Sequence, residues 1–112
     1  MLTEVKKSEV KELYPKREVD GHKGMHGRVM IVGGSLDYYG APVLAGMGAL
    51  FGGADLVHLC VPECNFEVSR TYYPDFIVKA FPGEYLDARG VEPLYFESEK
   101  QNCLVIGPGV RS

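Results

Sequence analysis

The chain has 112 residues, 46% of them hydrophobic and 24% charged, which fits one globular domain with a core of its own and is not the composition of a disordered chain. Its formal charge of −3 gives no electrostatic reason to approach nucleic acid or an anionic membrane. The first residues, MLTEVKKSEVKELYPKR, contain no apolar run long enough for a signal peptide or a membrane span, so the cytoplasm is the expected compartment. Three cysteines, Cys60, Cys64 and Cys103, are an odd number in a chain without a secretory signal. They are expected to be reduced thiols, buried or spectator, and not a disulfide framework.

Thr3 can cap a short helix whose apolar side uses Val5, Val10, Leu13 and Tyr14 and which Pro15 ends. Residues 17–27, REVDGHKGMHG, read as a polar loop. Val29 to Val32 is an unbroken apolar run of strand length, the pattern of a strand covered on both faces. The stretch GGSLDYYGAP then turns the chain into a helix from Gly40 to Phe51. Pro42 suits its N1 position, Val43, Leu44, Met47, Leu50 and Phe51 recur at helical spacing, and Gly52-Gly53 stops it. Ala45, Gly46, Gly48 and Ala49 make that helix rich in small residues, which suggests close packing. Leu56 to Val61, ending at Pro62, is the second strand, and Phe76 to Phe81 the third. Residues 85–101 are weakly helical or irregular, and Cys103 to Ile106 is a fourth short strand running into Gly107-Pro108-Gly109. This order predicts an α/β fold with a mostly parallel sheet of about four strands and flanking helices.

Three strand ends carry turn residues: GGS, PE and GPG. In an open parallel sheet a ligand lies outside the carboxyl ends of the strands, so these turns are expected to share one edge. Bare backbone at Gly34, Gly40 and Gly107, with Ser35 and the positive end of the following helix, would suit a polar or anionic ligand. The same glycines also suit plain tight turns. GGSLDYYG lacks the Gly-Lys-Ser/Thr ending of a P-loop, its glycines do not fit G-x-G-x-x-G, and Ser35 does not stand in G-x-S-x-G. No catalytic residue is therefore assigned. His58, Cys60 and Cys64 could be imagined around a metal, but no second pair closes a tetrahedral site, and they read as a core histidine with two buried thiols. No metal site is expected. His22 and His26 flank Lys23, and His22 with Lys23 could meet phosphate. The same segment also reads as a solvated loop with Lys23 and Arg28 over the first strand.

Taken in order, LTEVKKSEVKELYPKR, HKGMHGRVMIVGGSLDYYGAPVLAGMGALFGGADLVHLCVPE and CLVIGPG resemble the N-terminal part of the ADP- or ATP-dependent NAD(P)H-hydrate dehydratases. That family is carbohydrate-kinase-like and has the ribokinase-like fold. The resemblance implies removal of water from the hydrated nicotinamide ring of NADHX or NADPHX, driven by hydrolysis of ADP or ATP with Mg2+. It also implies that Ala41 in YGAP and Gly109 in IGPG contact the hydrated dinucleotide. The family's histidine loop, glycine-rich nucleotide segment and Gly-Asp pair have no counterpart within these residues, where Val110-Arg111-Ser112 follows GPG. The expectation is a truncated dehydratase domain that carries part of the substrate site and associates with itself or with a complementary C-terminal polypeptide. Two other readings stand beside it: a non-catalytic oligomeric scaffold or ligand-binding half-domain, and a small-molecule kinase of the ribokinase-like superfamily.

Overall fold

The computed structural model describes residues 2–14 and 27–111. Its elements in chain order are α1 (Lys7–Leu13), β1 (Arg28–Val32), α2 (Ala41–Phe51), β2 (Leu56–Pro62), α3 (Phe66–Arg70), β3 (Phe76–Phe81), α4 (Val91–Ser98) and β4 (Cys103–Ile106). The four strands form one sheet in the order β3-β2-β1-β4, and every pairing is parallel. The expected strands are all present, with β1 and β2 each one residue longer than their apolar runs.

The register sorts the side chains into two layers. Val29, Val57 and Phe76 lie in register, as do Ile31, Leu59 and Val78. With Val61 and Val43 of α2, residues of these rows build the core on the α2 side. Met30, Val32, Cys60 and Phe81 occupy the other face, where Leu86 and Leu94 of the α4 region pack on them. Residues Met30, Ile31 and Val32 are at most 2% exposed, so β1 is covered on both faces, as its unbroken apolar run requires.

Several sequence expectations change. Thr3 does not cap α1: the N-cap is Lys6, whose N–H donates to the Glu9 carboxylate at 3.2 Å. A glutamate at the third helical position can reach back to the cap, whereas Thr3 lies too far upstream. Every side chain of residues 2–14 is exposed, so Val5, Val10, Leu13 and Tyr14 cover no core. Helix α2 begins at Ala41 with Gly40 as its N-cap, which leaves Pro42 at the second position instead of the first. The connection from β2 to β3 holds a turn of 3₁₀ helix over Glu63–Asn65 and then α3, where no helix was expected. Residues 85–101 resolve into a 3₁₀ turn at Ala88–Gly90 followed by α4. Cys60 is buried, but Cys64 and Cys103 are both exposed. Cys64 lies beyond the strand, in the turn over β2, where the sheet no longer encloses it.

Helix α2 contains no polar residue, and its two interior glycines serve different ends. A Cβ on Gly46 would stand 2.8 Å from Leu59 Cδ2 and 3.1 Å from the Phe76 ring, both held in the core. A Cβ on Gly48 would meet nothing within 4 Å. Gly46→Ala is therefore expected to destabilise the fold by about 1–3 kcal/mol through overpacking. Gly48→Ala is expected to stabilise it by roughly 0.5–1 kcal/mol through helix propensity. Urea unfolding followed by circular dichroism checks the pair, and equal effects would refute the packing argument.

Candidate functional site

The parallel register brings the carboxyl ends of β1, β2 and β4 to one edge, and backbone hydrogen bonds then bind their turns together. Gly33 N–H donates to Cys60 O at 3.1 Å, and Gly107 N–H donates to Val32 O at 3.1 Å. Both bonds continue the sheet by one residue past the strands. Gly34 N–H donates to Pro108 O at 2.8 Å, which ties the GGS turn to the GPG turn. Gly33 lies so close to the Pro108 carbonyl that a side chain there would collide with it. Leu36 N–H donates to Glu84 O at 2.9 Å, bringing the loop after β3 to the same edge. Glu63 of the PE turn accepts from Gly83 N–H at 3.0 Å.

The six glycine, serine and alanine candidates thus stand together, but they do different things. Gly40 is the N-cap of α2, and a Cβ there would meet open space, as it would at Gly107. These two present bare, accessible backbone. Gly34 and Gly109 do not: the space beside Gly34 is taken by Asn65 Nδ2, Pro62 and Pro42, and that beside Gly109 by the Tyr38 carbonyl and the Ala41 methyl. Gly109 has φ +72° and a Cβ there would lie 2.6 Å from Tyr38 O, so glycine is needed for both conformation and contact. The same contact sets the YGAP and GPG turns side by side, with the ideal Gly109 Cβ 3.1 Å from Ala41 Cβ. Ser35 is 3% exposed, and its hydroxyl is enclosed without a hydrogen-bond partner among the described residues. Its backbone serves the turn, with Ser35 N–H donating to Tyr38 O at 3.4 Å. His22, Lys23 and His26 lie outside the described residues.

The residue that sequence reading missed is Asn65. It is 2% exposed, and its Nδ2 donates to Ser35 O at 3.0 Å, so the turn after β2 clamps the turn after β1 through one buried amide. An asparagine in PECNF has no periodic signal to mark it. Arg111 is the other addition: its guanidinium lies 5.5 Å from the Tyr85 ring centroid, just past the GPG turn.

No group of three or more His, Cys, Asp or Glu among the described residues could hold a metal ion. His58 and Cys60 share the α4 face of β2, where Cys60 is buried and His58 half-buried. His58 Nδ1 lies 3.4 Å from Gln101 Nε2, and burial pushes the imidazole pKa down, against the raising effect of Glu97 and with help from Lys79, Arg28 and Lys100. Burial pushes the Cys60 thiol up to about 12, with Glu97 adding to it. No helix among the described residues is long and apolar enough to cross a membrane.

A parallel α/β sheet with glycine turns gathered at its carboxyl edge is the architecture of the ribokinase-like superfamily, and solved structures agree. The unit superposes on a ribokinase-like superfamily protein of Enterococcus faecalis with a TM-score of 0.79 at 25% identity, covering 96% of this chain and 36% of that one. An ADP/ATP-dependent NAD(P)H-hydrate dehydratase of Bacillus subtilis, co-crystallised with ATP and Mg2+, shares the fold with a TM-score of 0.64 at 20% identity, over 92% of this chain and 44% of that one. Residues 29–112 match the family model described as NAD(P)H-hydrate dehydratase, and the chain belongs to that family. It is 40% identical over 95 residues to the bifunctional NAD(P)H-hydrate repair enzyme Nnr of Archaeoglobus fulgidus, which spans 85% of this chain and 20% of the relative. The ATP-dependent (S)-NAD(P)H-hydrate dehydratase of Aedes aegypti is 40% identical over 100 residues, 89% of this chain and 29% of that protein. The chain thus spans about a fifth to a third of the length of these curated relatives.

Two outcomes test this geometry. Asn65→Ala removes the side-chain donor to Ser35 O and is expected to cost about 1–3 kcal/mol, with faster amide exchange confined to residues 33–39. Uniform loss of protection along the chain would instead mean a general loss of packing. At pH 8, iodoacetamide is expected to modify Cys64 and Cys103 in the folded protein and to leave Cys60 untouched, because a thiol raised to about 12 and buried is neither ionised nor reachable. Mass mapping of the alkylated peptides reads this directly.

Proposed function

We propose that the cradle formed by residues 33–41 and 107–110 holds one side of NADHX or NADPHX in a nucleotide-dependent dehydratase of metabolite repair. The observation that carries the proposal is the contact of Gly109 with Ala41 and Tyr38. The two positions that the family resemblance assigns to the hydrated dinucleotide lie side by side, at the edge where a parallel sheet binds its ligands. Open backbone at Gly40 and Gly107 lets a flat ligand approach, and the first turn of α2 adds a positive end that favours phosphate. What these residues do is bind and orient. ADP or ATP with Mg2+ would supply the driving hydrolysis, in keeping with the nucleotide-dependent relatives.

In a protein-observed NMR titration, NADH or its hydrate is expected to shift residues 33–41 and 107–110, with a dissociation constant on the order of a millimolar for so partial a site. Gly40→Leu places a side chain in the open space without a positive φ, so it is expected to abolish those shifts while costing at most about 1 kcal/mol of stability. The 112-residue chain by itself, given ATP or ADP and Mg2+, is expected to restore no NADH absorbance from the hydrate above the no-protein rate. Shifts confined to other residues, or none at high millimolar ligand, would overturn the binding proposal in favour of the scaffold reading.

A further inference from the structure

His58 is a polar side chain set into an apolar part of the sheet. It lies in register with Met30 of β1 and Ile77 of β3, half-buried on the face that α4 covers. Its Nδ1 is 3.4 Å from Nε2 of Gln101, in the connection from α4 to β4, and the same amide nitrogen lies 3.5 Å from Glu97 O. An amide nitrogen can only donate, so Nδ1 must offer its lone pair: the ring is neutral and keeps its proton on Nε2. The other end of the amide is idle. Gln101 Oε1 is enclosed with no hydrogen-bond partner among the described residues. The next residue fastens the start of β4 to β1, with Asn102 N–H donating to Arg28 O and Arg28 N–H donating to Asn102 Oδ1, both at 2.9 Å.

We propose that His58 and Gln101 form a pH-sensitive latch, closed by the neutral imidazole and opened by its protonation, which sets how firmly the start of β4 is held. A proton on Nδ1 places one N–H against another. The amide then turns over, so that Oε1 accepts from Nδ1–H while Nε2 gives up Glu97 O. Burial is the main obstacle to charging the ring; Glu97 of α4 favours the imidazolium, whereas Lys79 of β3, Arg28 of β1 and Lys100 just past α4 oppose it. Cys60, next along the same face, stays a neutral thiol. The folded chain therefore takes up this proton less readily than the unfolded one, whose histidine titrates near the ordinary 6.5. The stability owed to the neutral ring is complete above that value, is lost as the pH drops below it, and levels off beneath the folded pKa. Strand β4 ends in the GPG turn, so opening the latch at its start loosens the half of the cradle that it carries. The inference rests on the fold and not on the ligand assigned to the cradle.

The test uses the 112-residue chain as it stands. Long-range proton–nitrogen NMR at pH 7.5 is expected to show His58 Nδ1 unprotonated, and the ring is expected to titrate below 6.5. Between pH 7.5 and pH 5, amide exchange at residues 101–103, corrected for its intrinsic pH dependence and compared with residues 29–32, is expected to quicken by roughly fivefold or more. His58→Asn keeps an acceptor near the position of Nδ1 and takes up no proton in this range, so it is expected to abolish the quickening. Gln101→Glu sets a carboxylate against Nδ1 and is expected to raise the His58 pKa above 6.5. A proton on Nδ1 at pH 7.5, a His58 pKa at or above 6.5 in the unsubstituted chain, or quickening that persists in His58→Asn overturns the proposal. Should His58→Asn fail to fold, the Gln101→Glu titration decides: a His58 pKa that does not move places the ring out of reach of residue 101 and overturns the latch.

Discussion

Everything at the candidate site depends on β1 being held on both sides in parallel register. Val29 to Val32 pair with β2 and with β4 simultaneously, and both ladders end with a backbone bond that carries the alignment past the strand, Gly33 to Cys60 and Gly107 to Val32. Because β1 is buried on both faces, its register cannot slip by one residue without exchanging the two apolar layers. The level at which GGS and GPG emerge is therefore fixed by core packing some distance from the cradle. The loops inherit their placement, and the Gly34–Pro108 hydrogen bond and the seating of Gly109 on Tyr38 refine it.

The strands were legible as runs of mostly apolar residues bounded by turn residues, and in β1 and β2 the run reflects burial on both faces. Phe76–Phe81 and Cys103–Ile106 have the limits their sequences suggest. Helix α2 was legible from Pro42 and the spacing of its large apolar residues. Helix α3 was not: FEVSR is one turn and a half, too short for a period to be counted and too short to be stable without the sheet beneath it. The same limit applies to the clamp. Asn65 acts through a neighbour thirty residues away, and a single buried side-chain bond of that kind leaves no trace in local spacing. The candidate glycines were found, but their division into open and packed positions is a tertiary property, decided by Tyr38, Ala41 and the three prolines nearby.

Helix α2 and strand β4 show the consequence of an incomplete cover in opposite ways. Between them, Leu44, Phe51 and Ile106 leave more than half of each side chain in water. Yet the layer that α2 does cover is closed: Val57, Leu59 and Val61 have no exposure at all. Stability is thus concentrated in β1, β2 and the inner side of α2, while β4 is held by its ladder to β1 and by the turn bonds at its end. A strand attached in this manner belongs to the low-protection end of the molecule.

That unequal distribution bears on how the cradle can bind anything. The GPG half of it hangs on β4, the least covered strand, and the GGS half on β1, which is buried on both faces. Their connection is one backbone hydrogen bond, Gly34 to Pro108, together with the seating of Gly109 on Tyr38 and Ala41. A ligand that needs both halves must hold β4 in place, and so loses part of its binding free energy to ordering that strand. Cover on β4 removes that cost before the ligand arrives. Any ligand affinity at Gly40 and Gly107 would therefore be coupled to packing on the Leu104 and Ile106 face through four residues of strand, although no side chain need touch both.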